Sequence, residues 1–569
     1  MYSLKWEGEV EDLPHADFRQ RGKSAPIQPS LFSRSERNHA RSSFIGAASP
    51  STSPFWKERC LHVQVDISLL SFYFKLTMKV ILAGYNLDRE VIEELKKKSP
   101  PRDDITPETL SASYARISRD PRPVNELRSV ARAEVERARR SNQNIIFKMG
   151  HHSVAEHAVF NFDIIGVSRL AIEEIEKFRL CSYTEKSQRY ITLRDDFVIP
   201  QEIRRAGKKE IFVKTVKAQS ALYRKLYKKL RSHFFEKNRE MAANPRKHPI
   251  LDGWAKEDAR YVVSLATEGQ LGMTANARNL EFMIRRFASK KLEELREFNK
   301  KIYSLAKEVA PSIILFTEAN DFDAKTYDEL EEKAKSLLKT SRNSKELVSL
   351  VDFTSEADTR LVASLLHTSS SLPYEECYKK ARALKPGEKK GFLRAAYKHM
   401  EFYNFPLREF EYVSLTYDLV VSAACFAQLK RHRMATLTAQ EYNPEHGVTV
   451  PPSIEAVGLT KEFMEMMRET EDVYSDLKRA LECGAEYVLT NAHRRRVLLK
   501  VNARELYHIS RLREDASAQW DICRLTAQMS KLAREAMPLT CLLLGGKDAY
   551  PELYQNVFGK PPKFFPPEL

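Results

Sequence analysis

Two stretches decide how this chain is organised: Ala259-Arg260-Tyr261-Val262 followed by Asn276-Ala277-Arg278-Asn279-Leu280, and Ala485-Glu486-Tyr487-Val488 followed by Asn502-Ala503-Arg504-Glu505-Leu506. The spacing from the alanine to the asparagine is the same in both. One shared tripeptide would be chance, but an ordered set at matching offsets points to duplication. Upstream lies a second matched pair, each member an apolar helical segment that ends in a basic cluster. These are Ser168-Arg169-Leu170-Ala171-Ile172-Glu173-Glu174-Ile175-Glu176-Lys177-Phe178-Arg179 and Ser422-Ala423-Ala424-Cys425-Phe426-Ala427-Gln428-Leu429-Lys430-Arg431-His432-Arg433. They align without a gap, so the chain reads as two diverged copies of one unit.

The rest of the sequence fits around these copies. Residues 1–77 are rich in Ser, Arg and Pro and are expected to be a disordered or non-native extension. They end in the aggregation-prone run Ile67–Phe74. At Met78 the character changes. Met78–Tyr85 reads as a first strand and Asp88–Leu95 as a capped helix, and Met78 is the expected true start. The first unit is expected over 78–340 and the second over 341–569, opening on the strand-like Lys345–Asp352. The join Tyr327–Lys339 is charged and helical, so rigid packing is expected rather than a flexible tether. Glu156–Val167 and its counterpart Tyr412–Val421 are predicted strands. Long helices are predicted over Glu210–Arg239, Asn279–Val309, Lys461–Glu482 and Ala503–Ala536. The fold class is therefore α+β, with a mixed or antiparallel sheet packed against long helices in each unit.

Composition excludes several classes. In 569 residues, 43% hydrophobic and 30% charged side chains rule out a fibrous or wholly disordered chain, and no apolar run could span a bilayer. The net charge of +16 favours anionic ligands or nucleic acid. Seven scattered cysteines with no CxxC suggest neither a disulfide framework nor a thiolate zinc site, and a reducing cytoplasm is the expected compartment. Met1–Val10 is already acidic and no apolar core follows, so no signal peptide is expected.

Three clusters could carry chemistry. Arg179–Tyr190 combines hydroxyls, a carboxylate and two guanidiniums, which suits a hydroxylated, phosphorylated ligand; a solvated polar loop is the alternative. Gly150-His151-His152-Ser153-Val154-Ala155-Glu156-His157 lacks the helical HExxH spacing, so no metal site is expected there. Arg431-His432-Arg433 suits either a helix C-terminus or an anion or electron-rich ring, and Arg494-Arg495-Arg496 reads as a solvated face, with nucleic-acid contact as the alternative.

Taken in order, these residues resemble the flavin-dependent thymidylate synthases from Met78 to the C-terminus, as two tandem units. The first unit keeps Gly150-His151, Glu156-His157, Ser168-Arg169, Arg179, Ser182, Glu185, Ser187, Arg189, Tyr190, Ala259-Arg260 and Asn276-Ala277-Arg278. It departs at Glu174, Lys177-Phe178, Thr184 and Phe287. The second keeps Gln428, Arg431-His432-Arg433, Asn502-Ala503-Arg504, Arg513 and Ala518-Gln519-Trp520. It departs at Phe410-Glu411, Thr436, Thr438, Ala439, Glu441, Asn443 and Glu486. Family active sites lie between subunits of a homotetramer, so each copy can keep the half that the other has lost.

The resemblance implies methylation of dUMP to dTMP, with FAD as cofactor and methylenetetrahydrofolate and NADPH as co-substrates. It assigns Ser187, Gln188, Arg189, Arg260 and Arg513 to dUMP. It assigns Arg513, Gln428 and Glu185 to catalysis. Arg431, His432, Arg433, His151, Asn502, Arg504, His508 and Arg179 go to FAD, and no residue goes to a metal. It also implies pairing of fused chains into a four-unit assembly. Two alternatives stay open: a catalytically degenerate flavin- or nucleotide-binding relative, and a basic nucleic-acid-binding protein.

Overall fold

A computed structural model describes residues 78–97, 105–117, 120–193, 195–338 and 346–566. The expected extension 1–77 and residues 339–345, which hold the last residue of the join and the first of the predicted strand Lys345–Asp352, lie outside the described residues. Two four-stranded antiparallel sheets organise the chain. The first is β1 (Lys79–Tyr85), β2 (Val159–Ser168), β3 (Ser182–Glu185) and β4 (Glu268–Asn276), in the order β1-β2-β4-β3. The second repeats it with β5 (Val348–Phe353), β6 (Ser414–Ser422), β7 (Thr436–Tyr442) and β8 (Arg494–Asn502), in the order β5-β6-β8-β7. Alternation explains the central strands. Phe160, Phe162 and Ile164 of β2 face one core, and Leu415, Tyr417 and Leu419 of β6 face the other.

The helices that position the site are α1 (Arg169–Ile175), α2 (Lys209–Lys237), α3 (His248–Ala259), α4 (Ala277–Ala288) and α5 (Glu293–Val309) in the first unit. In the second they are α6 (Ala423–Leu429), α7 (Thr460–Ala480), α8 (Ala503–Arg513) and α9 (Trp520–Ala536). The repeated serine and asparagine have one physical job. Ser168 and Ser422 accept from the N–H of Ala171 (2.9 Å) and Cys425 (3.0 Å). Asn276 and Asn502 accept from the N–H of Asn279 (2.9 Å) and Glu505 (2.8 Å). All four cap helices that leave a strand directly, satisfying N–H groups that the first turn would orphan.

Several expected boundaries are corrected. The stretches Ser168–Arg179 and Ser422–Arg433 hold only two-turn helices, each closing in a turn before the basic cluster. Glu156–His157 lies in a 3₁₀ segment, so the strand begins at Val159. Asn279–Val309 is two helices, parted where Glu202 accepts from the Glu293 N–H (2.6 Å). Ala503–Ala536 also breaks, because Asp515 takes the Ser517 N–H (2.9 Å) and Gln519 caps α9. Strands β3, β4, β7 and β8 are short or carry polar residues, and periodicity did not reveal them. The Arg494-Arg495-Arg496 run is not a solvated face. Arg495 is 6% exposed and shares the buried side of β8 with Val497, Leu499 and Val501.

The units meet across a pseudo-two-fold axis. Segments 261–266 and 487–492 pair antiparallel: Leu265 N–H to Leu489 O (2.7 Å) and Ala266 N–H to Tyr487 O (3.0 Å) are mirrored by Asn491 to Val263 (2.9 Å) and Ala492 to Tyr261 (2.9 Å). Each unit has its own core beneath its sheet, and two further cores draw residues from both units. Helices α2 and α7 cross the seam, where Gln219 donates to Thr470 Oγ1 (2.9 Å) and Val488 O (3.0 Å). The described residues thus form one compact unit. Among the described residues no helix is long and apolar enough to cross a membrane.

Charge completes the seam. Glu173 of α1 accepts from Tyr442 Oη (3.0 Å), pairs with Arg495 Nη1 (3.2 Å) and lies 3.2 Å from Arg169 Nη2. Arg495 also stacks between Phe426 (4.7 Å) and Tyr442 (4.3 Å). Truncating Arg495 to Ala removes this packing and strips a buried carboxylate of a partner. It is expected to cost about 3–5 kcal/mol. Urea midpoints of Arg495→Ala, with Glu173→Gln/Arg495→Met as the variant that removes both charges, check this; the double variant should recover part of the loss.

Candidate active site

The turn after α6 places three basic side chains against the first unit. Lys430 and Arg431 bind opposite oxygens of buried Glu176 at 2.8 and 2.9 Å. Arg431 also reaches Glu185 of β3 (2.8 Å), and Arg169 lies 3.6 Å from the other Glu185 oxygen. Burial alone would raise the Glu185 carboxyl, but Arg169, Lys430 and Arg431 hold it below the ordinary carboxylate range. Arg433 donates to the carbonyls of Arg179 (3.3 Å) and Cys181, and Arg179 returns a bond to Ala435 O (3.4 Å).

The end of α8 brings Arg513 onto the same turn. Its Nε donates to His432 Nε2 (3.0 Å) and its Nη2 to Gln428 O (3.2 Å). Gln428 then donates to Gln519 (3.3 Å), which donates to Tyr261 Oη (2.8 Å), which donates to Asp521 (2.9 Å). Tyr261 belongs to the first unit, so this chain of hydrogen bonds crosses the seam.

From the other side come the residues after β3. Arg189 pairs with Glu257 of α3 (2.6 Å) and donates from Nη2 to Ser517 O (3.3 Å), in the loop that follows Arg513. Ser187 Oγ accepts from the Arg189 N–H (3.2 Å), and Gln188 accepts from Asn491 of the second unit (3.1 Å). Arg260 is 7% exposed, and its Nε and Nη2 have no hydrogen-bond partner. Burial and the neighbouring Arg189 and Arg169 lower its affinity for the proton, and Glu257 only partly offsets them. Two buried, unsatisfied donors beside a second guanidinium make a site for an anion.

The family model described as "Thymidylate synthase complementing protein" matches residues 103–312 and again 349–539. The chain belongs to this family. It carries two tandem family units, as the repeats implied. The flavin-dependent thymidylate synthase of Clostridium tetani is 29% identical over 214 residues, covering 37% of this chain and 82% of that protein. That of Geobacter sulfurreducens is 33% identical over 173 residues, covering 30% of this chain and 65% of that protein. The UPF0159 protein Ta1429 of Thermoplasma acidophilum is 22% identical over 468 residues, covering 75% of this chain and 92% of that protein. That last alignment is long enough to run across both family units.

Within this thymidylate synthase-family chain, the two half-motifs adjoin. Across the seam Glu185 of the first unit meets Arg431 of the second, Arg433 meets the Arg179 and Cys181 carbonyls, Arg189 meets the Ser517 carbonyl and Gln188 meets Asn491. His508 stands beside His432 (ring centroids 5.7 Å) and Phe405 (5.4 Å). Others are engaged elsewhere. Asn502 caps α8, and Arg504 is held by Pro406 O (2.9 Å) and Glu411 (3.1 Å). His151 is exposed, with its backbone N–H bonded to Ile145 O (3.1 Å). His152 and His157 lean on Phe147 and Tyr114. Among the described residues only His432, Glu505 and His508 bring three possible metal-ligating atoms within 4.8 Å of one another. The bond from Arg513 to His432 Nε2 sets a cation beside that group.

Glu176, Glu257, Asn491 and Ser517 escaped the reading of the sequence. On a helix or in a loop, a carboxylate, amide or carbonyl looks like solvated surface until its partner from the other unit is known. Glu173 and Glu176 left one trace: charges among the apolar residues Leu170, Ala171, Ile172 and Ile175 of a two-turn helix and its C-cap.

Burial, reinforced by Arg513, pushes the His432 imidazole down to about 3. Because Arg513 donates to Nε2, the proton of the neutral ring sits on Nδ1, which is buried without a hydrogen-bond partner, 3.7 Å from Glu505 Oε1. The unfolded chain protonates this histidine near 6.5. Its contribution to stability is therefore complete above about 6.5 and is lost as pH falls from there towards 3. His432→Asn should show a shallower loss than the wild type between about pH 6.5 and 5. Denaturant midpoints across that window check it, and equal slopes would contradict the buried neutral ring.

Proposed function

We propose that this chain is an FAD-dependent thymidylate synthase that methylates dUMP to dTMP, with methylenetetrahydrofolate as the carbon donor and NADPH as the reductant. The reading rests on one observation above the others. Arg189 of the first unit touches the loop after Arg513 of the second, while Arg513 is bonded to His432. Nucleotide grip and Arg-His-Arg turn therefore adjoin within one chain.

The roles follow from the chemistry of the side chains. Arg260 offers two unsatisfied buried donors and Arg189 a planar fork, so a phosphate placed between them would relieve their mutual repulsion. Ser187 and Gln188 would orient phosphate and sugar. Gln428 and Arg513 would face the pyrimidine, where Arg513 would stabilise negative charge as it develops on the ring. Glu185, held ionised by its basic neighbours, would fix substrate relative to cofactor. No cysteine is called on as a nucleophile, and burial raises the Cys181, Cys425 and Cys523 thiols.

The residues present fit a flavin. His432 offers a buried Nδ1–H with no acceptor, and the half-buried His508 ring lies beside it. Arg431, His432, Arg433 and His508 would hold FAD, with Arg179, Arg504 and Asn502 around them. FAD, when bound, supplies the redox chemistry; the protein supplies orientation and field. His151 is exposed, as are Met434 after the Arg-His-Arg turn and Tyr412 before β6. A second copy of the chain seated there would complete a four-unit assembly. The six described cysteines are free, which suits a reducing cytoplasm.

Tritium release from labelled dUMP in the presence of methylenetetrahydrofolate, NADPH and FAD tests the activity. Arg189→Ala and Arg513→Ala should each lower it by roughly 10²–10³-fold, the scale of losing a preorganised charged donor. Wild-type turnover that survives both changes would remove this assignment.

A further inference from the structure

The pseudo-two-fold axis implies a second site, made from the same positions with the units exchanged. Its contents differ. Phe178 stands at the position of His432 and Phe287 at that of Arg513. The two positions still meet, but as aromatic rings packed edge to face at 5.3 Å, where the second unit has a hydrogen bond. Phe282 closes on Phe178 (5.6 Å) and Phe298 on Phe287 (5.6 Å), and Phe287 is 1% exposed. Donors that could face a ligand are replaced by hydrocarbon continuous with the first unit's own core.

Polar positions have changed in the same direction. Glu174 replaces Gln428 and is tied to Lys177 and Lys290 (2.9 Å). At the phosphate end the charge is reversed. Glu486 occupies the position of Arg260, mostly buried and 3.6 Å from Lys478, which also pairs with Glu441 at the position of Ser187 (3.0 Å). Asn443, at the position of Arg189, turns back on its own loop and accepts from the Glu445 N–H (3.0 Å). A phosphate entering here would meet two carboxylates and one ammonium already paired, where the other site offers two guanidiniums.

We infer that the chain holds one pyrimidine-nucleotide site, and that its symmetry mate is closed by the Phe178–Phe287 plug and by the carboxylate of Glu486. Binding is therefore one nucleotide per chain, not one per family unit. This rests on the reading above only for the identity of the nucleotide. The duplication has converted a symmetric pair of sites into one site and one structural joint.

Calorimetric titration of the full chain with dUMP tests it. The expected count is one dUMP per chain. Arg260→Gln and the partly exposed Arg189→Gln should each weaken binding roughly 10- to 100-fold, the order set by charge-assisted hydrogen bonds. Glu486→Gln and Asn443→Ala should leave count and affinity unchanged. Two dUMP per chain, or a loss of affinity in Glu486→Gln as large as in Arg189→Gln, would overturn the closed site while leaving the proposed activity standing. No binding to the wild-type chain would sink the proposed activity and this inference with it.

Discussion

Glu176 and Lys430 stand at the same position of the two units, each eight residues after the serine that caps its helix. On a two-fold axis such a position faces its own copy, so two identical units would set like charges against each other. Here a carboxylate meets an ammonium at 2.8 Å, both almost wholly buried. A buried ion pair adds little over an apolar pair, yet a buried charge without its partner costs several kcal/mol. The pairing therefore acts as a rule of association: the first unit fits the second and not itself. Glu173 with Arg495, and Glu185 with Arg431, extend the rule along the seam.

Everything at the site inherits that asymmetry. Because Glu173, Glu176 and Glu185 of the first unit face Arg495, Lys430 and Arg431 of the second, the Arg-His-Arg turn is drawn onto the strand that carries Glu185. Arg513 follows because α8 springs directly from the strand paired with β6. The tyrosines of the repeated Ala-x-Tyr-Val reach across in both directions: Tyr261 to Asp521 at 2.9 Å and Tyr487 to Glu294 at 2.6 Å, each carboxylate also binding the capping serine of its own unit. These shared carboxylates fix the angle between the units, so neither half of the site can drift while the sheets stay paired.

Fusion also relaxes a constraint that identical subunits obey. A residue in a homo-oligomer serves every site at once. With two copies on one chain, a position can specialise, and Phe287 and Arg513 show how far: one closes a core, the other orders an imidazole.

The amino-acid pattern alone determined the duplication, the α+β class and the central strands. Each of these rests on short-range regularities: matched spacings, alternation along β2 and β6, and side chains that cap their own helices. The capping role of Asn276 and Asn502 was hidden, because the tripeptide reads as helix when it marks the strand's exit. Only tertiary structure decided that Arg495 lies inside, that Glu176 and Glu257 hold the site's arginines, and that β3 and β7 are strands at all. Those facts depend on partners some 70 to 320 residues away. A charge is solvated or buried according to what packs over it, and no local pattern carries that information.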